Sequence, residues 1–235
     1  MLILGLIIIS IVILAAVLYW LLVTTEGVFL GQRMVTRLYD HTAHRYDDIK
    51  QFDEDDERYF IVQPLQKELK HKAHPVILDV ATGSGRVPFD LATNPGFEGT
   101  IFGLDAAYEM LRKAAAKISE LNQDSVAVHL IQQRVNRLPF SDDSFDAVTC
   151  FESLEFFPSD RAALIEMVRV LRPGGLLMTS RRRGPTGYLF LGRYRSVQDF
   201  ENLMKEIDLE DIQTRLWEMD YDLVSGRKPL DNGMV

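Results

Sequence analysis

The chain has 235 residues, a formal net charge of −8 from 26 Lys and Arg against 34 Asp and Glu, and a single cysteine, Cys150. That length suits one sizeable core rather than two catalytic domains, and the acidic balance argues against nucleic acid as a partner, because phosphate backbones need clustered cations. One cysteine excludes an intrachain disulfide and any zinc site built from several thiolates.

From Met1 to Thr25 no side chain is charged, and the run is almost wholly Leu, Ile, Val and Ala. As a helix it would be about 37 Å long, enough to cross ~30 Å of hydrocarbon with some tilt. Tyr19 and Trp20 lie near one end, where aromatic side chains prefer the membrane interface. A cleavable signal peptide would have a basic start and a shorter apolar stretch, so residues 1–25 are predicted to be an uncleaved transmembrane anchor. Arg33, Arg37 and Arg45 follow the span, and the positive-inside rule then expects the domain beyond it in the cytoplasm.

Residues 26–75 read as a linker and N-terminal helical cap. The acidic run 53–57 suits a solvated helix N-terminus, where the dipole favours carboxylates. Phe60, Ile61, Leu65 and Leu69 then follow at helical spacing. From Pro75 onward short β-branched runs at 76–80, 101–104, 126–131, 145–150 and 176–180 alternate with helical patterns. Met110, Ala114, Ile118 and Leu121 mark one helix face, and Leu164, Val168 and Leu171 a second. Phe200, Leu203, Met204 and Ile207 mark a third, behind Ser196 as N-cap. Such alternation predicts an α/β, Rossmann-like, doubly wound and mostly parallel sheet. Runs 212–218 and 221–227 are too close for a crossover, so an antiparallel pair completes seven strands within a domain at 76–235.

The most informative stretch, Asp79-Val-Ala-Thr-Gly83-Ser-Gly85-Arg86, follows the first strand. Gly83 and Gly85 allow a tight turn and close backbone approach to a ligand. Asp105 stands 20 residues beyond Gly85, at the end of the second strand, where an acid accepts hydrogen bonds from ribose hydroxyls. A dinucleotide fingerprint would have a small residue where Pro88 stands. Asp79 would repel a pyrophosphate, whereas beside an ammonium it would help. The pattern therefore favours S-adenosylmethionine.

With these residues in order the chain resembles the class I S-adenosylmethionine-dependent methyltransferases, above all those of ubiquinone/menaquinone biosynthesis. The likeness runs from about Tyr39 to Pro229. It rests on Tyr39-Asp40-x-x-Ala43-x-x-Tyr46-Asp47, the glycine loop, Gly103-Leu-Asp105-Ala-Ala-Tyr-Glu-Met110-Leu111, Leu138-Pro139-Phe140-x-Asp-Asp-Ser144-Phe145-Asp146, and Leu171-Arg-Pro173-Gly174-Gly175. The resemblance implies Tyr46 covering the cofactor, Asp79 orienting its ammonium, and backbone contacts from Ala81, Gly83 and Gly85. It also implies Asp105 and Ala106 at the ribose, Met110 and Val135 by the adenine, and Phe151 near the methionine moiety, with ordinary core packing the alternative for Met110 and Phe151. Two positions depart from the family pattern. Ala81 replaces a glycine, and Arg134, which has donors only, stands where relatives often carry an acid that accepts from the adenine amino group. Gln133, Asn136 or the backbone at Val135 is left for that task.

Methyl transfer from a sulfonium needs alignment more than a fixed catalytic triad. Glu152 and Glu155, after the fourth strand, are the candidate catalytic residues, as base or as substrate-positioning groups, with plain surface acids the alternative. Arg181, Arg182, Arg183, Arg193 and Arg195 would hold an anionic acceptor, meet lipid phosphates, or form a solvated loop. The pairs His41/His44 and His71/His74 lack a third ligand of suitable spacing, so no metal is expected. The anchor points to a small-molecule or lipid-like acceptor. A catalytically silent anchored binding module and a protein methyltransferase are the competing readings.

Overall fold

The computed structural model describes residues 1–51, 53–121 and 126–230; the last five residues of the predicted 76–235 domain lie outside them. Helix α1 (Leu2–Tyr19) continues through a widened turn so that one apolar helix runs over Leu2–Thr24, long and apolar enough to cross a membrane. No residue of α1 is buried against the rest of the chain. Four helices follow before the sheet: α2 (Gln32–Thr42), α3 (Tyr46–Lys50), α4 (Glu54–Glu57) and α5 (Gln63–Leu69).

Strands and helices then alternate as β1 (Val76–Val80), α6 (Arg86–Thr93), β2 (Gly99–Asp105), α7 (Tyr108–Ser119), β3 (Val126–Gln132), β4 (Phe145–Cys150), α8 (Asp160–Val170) and β5 (Leu171–Arg182). The chain ends in α9 (Gly184–Gly187), α10 (Val197–Glu206), β6 (Glu210–Leu216) and β7 (Tyr221–Arg227). The seven strands lie in the order β3-β2-β1-β4-β5-β7-β6, with β7 antiparallel to both neighbours. The expected mostly parallel sheet with an antiparallel C-terminal pair is what forms. Every residue of β4 and four of five in β1 are buried, whereas the edge strands β3 and β6 alternate with exposed positions. Central strands covered on both faces need continuous apolar runs, and edges do not.

Strand β5 begins at Leu171, five residues before the predicted start. Leu171 pairs with Phe145 rather than continuing the helical face of Leu164 and Val168, and Gly174 takes φ +75° within β5, where the register shifts before Leu176 pairs with Ala147. Ser196 caps α10 as predicted, its Oγ accepting from the Asp199 N–H at 3.1 Å. The acidic run splits: Asp53 Oδ1 accepts from the N–H groups of Asp55 and Asp56 at 2.9 and 3.2 Å, while Glu57 turns inward and is buried.

Glu57 meets Arg86, the first residue of α6. Its buried guanidinium lies 3.3 Å from Glu57, 2.8 Å from Glu152 and 3.9 Å from Glu218, and 5.3 Å from the centre of the Trp217 ring. One cation thereby joins α4, α6, the β4 end and the β6–β7 turn. Burial pushes Glu57 up to about 8 and Glu218 to about 7, although Arg86 opposes both shifts. Removing one partner of a buried charge network strands the others. Arg86→Met is therefore expected to lower stability by about 3–5 kcal/mol, read as a reduced urea midpoint at unchanged slope; a loss within experimental error would show the cluster to be dispensable.

Candidate active site

Strand order reverses at β1, with β2 on one side and β4 on the other, and ligands of open α/β sheets bind in the crevice beyond such a point. Register aligns Asp79 of β1 with Gly103 of β2 and Thr149 of β4. Asp79 is buried, and its Oδ1 accepts from Thr149 Oγ1 at 2.6 Å. Burial pushes its carboxyl up to about 6, against the pull of that hydroxyl.

Beyond β1 the loop places Ala81, Gly83 and Gly85 in the left-handed region, at φ +57°, +55° and +79°. At Ala81 this costs about 1–2 kcal/mol that a glycine would avoid. The loop is tied to β2: the Gly83 N–H donates to Asp105 Oδ2 at 2.9 Å, and the Thr82 N–H to the Leu104 carbonyl at 3.0 Å. Asp105 Oδ1 accepts the Ala107 N–H at 2.8 Å. A carboxylate has about four lone-pair sites, so Asp105 can hold the loop and still accept from two ligand hydroxyls.

The N-terminal helices form a roof over this loop. Asp47 accepts from Ser84 Oγ at 2.6 Å and pairs with Lys117 at 2.7 Å and Lys113 at 3.2 Å; Asp40 Oδ1 accepts the N–H of Glu109 at 2.9 Å. Ala43 packs on Ala107 and Met110. Each polar residue of the segment from Tyr39 to Asp47 quoted above thus either fastens the roof or faces the space beneath it. That space is a narrow cleft lined by the predicted Tyr46, Ala81, Gly83, Asp105, Ala106, Val135, Phe151 and Glu152. Asp79 reaches a recess beside it that shares Tyr46, Phe151 and Glu152. The donor set fits S-adenosylmethionine: a carboxylate for the ribose, a second for the ammonium, and apolar walls at Ala106 and Val135 for the base.

Four predicted residues fall elsewhere or act otherwise. Gly85 does not line the cleft; a Cβ there would sit 2.8 Å from the Ala114 Cβ, so this glycine serves the packing of α6 on α7. Met110 is fully buried with Ala43 and Ala107, which is core packing rather than a cleft wall. Glu155 lies outside the cleft, its carboxylate accepting from Arg182 Nε at 2.8 Å and from Tyr221 Oη at 2.5 Å. Glu152 does face the cleft, but Lys50 at 2.5 Å and Arg86 at 2.8 Å hold it. Burial alone would raise its carboxyl, yet these two cations keep it below the usual range, so it is a fixed anion rather than a base.

The arginine cluster is largely consumed inside the fold. Arg181 and Arg183 pair with Asp222, Arg195 with Asp160, and Arg193 donates to the carbonyls of Glu155 and Phe157. Tyr39, which opens the segment that resembles the family's cofactor cover, lines the cleft, and so do Val35, Thr36, Phe156 and Phe157, which carry no sequence signal of their own for the ligand. The 4-4-3 spacing of Val35, Tyr39, Ala43 and Tyr46 carried that information as one helical face. Gln133 and Val135 line the cleft together with Arg134.

Two outcomes follow for S-adenosylmethionine binding. Asp105→Ala should weaken it by about 1–3 kcal/mol, measured by titration calorimetry; an unchanged affinity would remove Asp105 from the site. The ionised form of Asp79 is the one an ammonium favours, so affinity should be level above about pH 7. As pH falls through 6 it should weaken, by up to about tenfold per unit, and Asp79→Asn should flatten the profile. A wild-type profile already flat across that range would contradict the ammonium contact.

A family model described as a methyltransferase domain matches residues 78–179, the stretch from β1 to β5 that builds this cleft. The chain is 28% identical over 164 residues to a demethylmenaquinone methyltransferase of Staphylococcus haemolyticus, covering 70% of this chain and 67% of that one. It is 30% identical over 172 residues to the ubiquinone/menaquinone biosynthesis C-methyltransferase UbiE of Geotalea daltonii, covering 68% of each. Among solved structures, a putative S-adenosyl-L-methionine-dependent methyltransferase of Methanococcus maripaludis superposes with a TM-score of 0.64 at 18% identity, over 83% of this chain and 95% of that one. That likeness speaks for the fold, the sequence relatives for descent, and the carboxylates and glycine loop for the cofactor. The chain belongs to the S-adenosylmethionine-dependent methyltransferases of the ubiquinone/menaquinone-biosynthesis type.

Proposed function

We propose that this chain is a membrane-anchored methyltransferase whose acceptor is a small, lipid-like aromatic of the quinol type. The observation that carries this reading is the join between the apolar helix and the roof of the cleft. Glu26, two residues beyond the Leu2–Thr24 span, accepts a hydrogen bond from Tyr39 Oη at 2.6 Å, and Tyr39 lines the cleft. A roof continuous with an anchor keeps the cleft beside the bilayer and suits an acceptor that stays in lipid. The names carried by the two sequence relatives, which concern menaquinone and ubiquinone, support the same class of acceptor. Arg33, Arg37 and Arg45 beyond the span favour a cytoplasmic domain.

S-adenosylmethionine, when bound, supplies an electrophilic methyl group on a sulfonium. The protein's part is to bind and align: Asp79 for the ammonium, Asp105 with the Gly83 loop for the ribose, Ala106 and Val135 for the base. Alignment of this kind is worth about 7–11 kcal/mol. A quinol ring becomes nucleophilic as its hydroxyl loses a proton, and Tyr39 is positioned to receive it. Tyr39 Oη accepts from the acceptor hydroxyl while passing its own proton to the Glu26 carboxylate. Burial pushes the Tyr39 phenol well above its ordinary value, so it stays protonated at rest. Burial likewise raises the Glu26 carboxyl against the pull of the Tyr39 bond, making it the more basic carboxylate.

A catalytically silent binding module is the second reading, and Arg134 favours it by bringing hydrogen-bond donors alone to the cleft wall. Turnover with methyl-labelled cofactor and membrane lipid extract separates the readings. Label in the lipid fraction is expected. Label on protein would indicate a protein substrate, and cofactor binding with no transfer to either would indicate the silent module. In the active case Tyr39→Phe should lower kcat by about 10²–10⁴ while leaving cofactor affinity unchanged, and an unaltered kcat would rule out the relay.

A further inference from the structure

Between β5 and α10 the chain leaves the sheet, forms the short α9 and returns at Ser196. Within this excursion Phe190 turns inward: it is buried, its ring centre 5.9 Å from that of Phe156 and 4.3 Å from the Arg182 guanidinium carbon. Its neighbours turn the other way. Tyr188, Leu189 and Leu191 are 64%, 41% and 63% exposed. One buried phenylalanine pins the loop, and three large apolar side chains around it are left facing out. A protein surrounded by water gains nothing from such a patch, which marks a contact surface.

The long apolar helix lies directly beside it. Trp20 Nε1 donates to the Leu189 carbonyl at 3.2 Å. The Trp20 ring stacks on Phe29, with centres 4.9 Å apart and planes 21° off parallel, and the Arg193 guanidinium lies 5.8 Å from the Phe29 centre. Trp20 stands four residues before the end of the span at Thr24, about 6 Å along the helix axis. The hydrogen bond therefore holds the loop against the side of the span, at the depth where tryptophan meets headgroups and upper acyl chains. Beyond the span, Arg33 and Arg37 are exposed one turn apart on α2, and neither makes an ion pair among the described residues. That arrangement complements anionic headgroups.

We propose that residues 188–191 form a second membrane contact, seated in the interfacial zone of the bilayer beside the helix, with lipid as its occupant. The inference rests on the reading of Leu2–Thr24 as a membrane anchor. It also gives a lipid-borne acceptor a way in. Leu191 lines a further cleft of about 370 Å³ whose wall includes Phe29, Arg193 and Phe157, and Phe157 is shared with the cofactor cleft. An acceptor with an apolar tail thus meets protein before it leaves the bilayer.

The test uses the full chain in phosphatidylcholine–phosphatidylglycerol vesicles. Because Cys150 is fully buried, an introduced cysteine is the accessible thiol for a polarity-sensitive nitrobenzoxadiazole label. Four variants are used; three are Leu191→Cys, Val12→Cys on the span, and Leu230→Cys, which is 69% exposed beside Gly174 at the opposite end of β5. Tyr188→Cys repeats the reading at a second loop position. Lipids carrying a nitroxide deep in the acyl chain should quench most of the emission at 12, lipids carrying it high on the chain most of that at 188 and 191, and both should leave 230 unchanged. Quenching at 12 with 188 and 191 behaving like 230 would overturn the second contact and leave the anchor standing. A blue-shifted but unquenched label at 191 would mean that protein covers the loop, which also overturns it. An unquenched label at 12 would refute the anchor itself, and this inference with it.

Discussion

The site depends on one carboxylate holding two strand ends together. Asp105 accepts the N–H of Gly83 from the loop after β1 and the N–H of Ala107 from the turn after β2. Together with the bond from the Thr82 N–H to the Leu104 carbonyl, that acid fixes the glycine loop against the strand beside it. Buried N–H groups without partners are costly, and a carboxylate serves both while keeping lone pairs for a ligand. In the proposed reading, loop shape and ribose recognition therefore share one residue. This arrangement explains why the left-handed conformation of Ala81 persists: the tethered ends over-determine the turn.

The roof depends on the same loop from above. Asp47 binds Ser84 between the two glycines, and Lys113 and Lys117 of α7 bind Asp47. Loop, roof and α7 thus form one ionic and hydrogen-bonded assembly, from which Tyr39 and Tyr46 hang over the cleft. Exposed pairs contribute little singly; here three half-buried groups converge on a single carboxylate, and their joint effect is to set position. In the proposed reading the apolar helix enters this roof through Glu26, so anchoring and substrate access are parts of one structure.

The strands were legible because the central ones are buried on both faces and must be apolar throughout. The bounds 76–80 and 145–150 match the structure, whereas β5 starts earlier than the sequence suggests, because Pro173, Gly174 and Gly175 look like a turn and form a bulge out of register with β4, inside a strand that Leu171 already opens. At the site, Asp79, Gly83 and Asp105 stand out in the sequence because the ligand proposed for them would restrict the residue type. Gly85 was harder, since a glycine required by the neighbouring helix looks the same in sequence as one required by a ligand. Glu152 and Glu155 were legible as acids at the right sheet edge, but their partners Lys50, Arg86, Arg182 and Tyr221 come from distant segments. No local pattern reports such pairing. Glu57 shows the same limit: within a run of five acids, only the packing of α4 on Arg86 distinguishes the buried one.

A crystal structure of the full chain with S-adenosylhomocysteine tests the central claim most directly. Both ribose hydroxyls should lie within hydrogen-bonding distance of Asp105, the amino group should meet Asp79, and the Gly83–Asp105 bond should remain in place. A ligand bound outside this crevice, or a glycine loop that must part from Asp105 to admit it, would contradict the account.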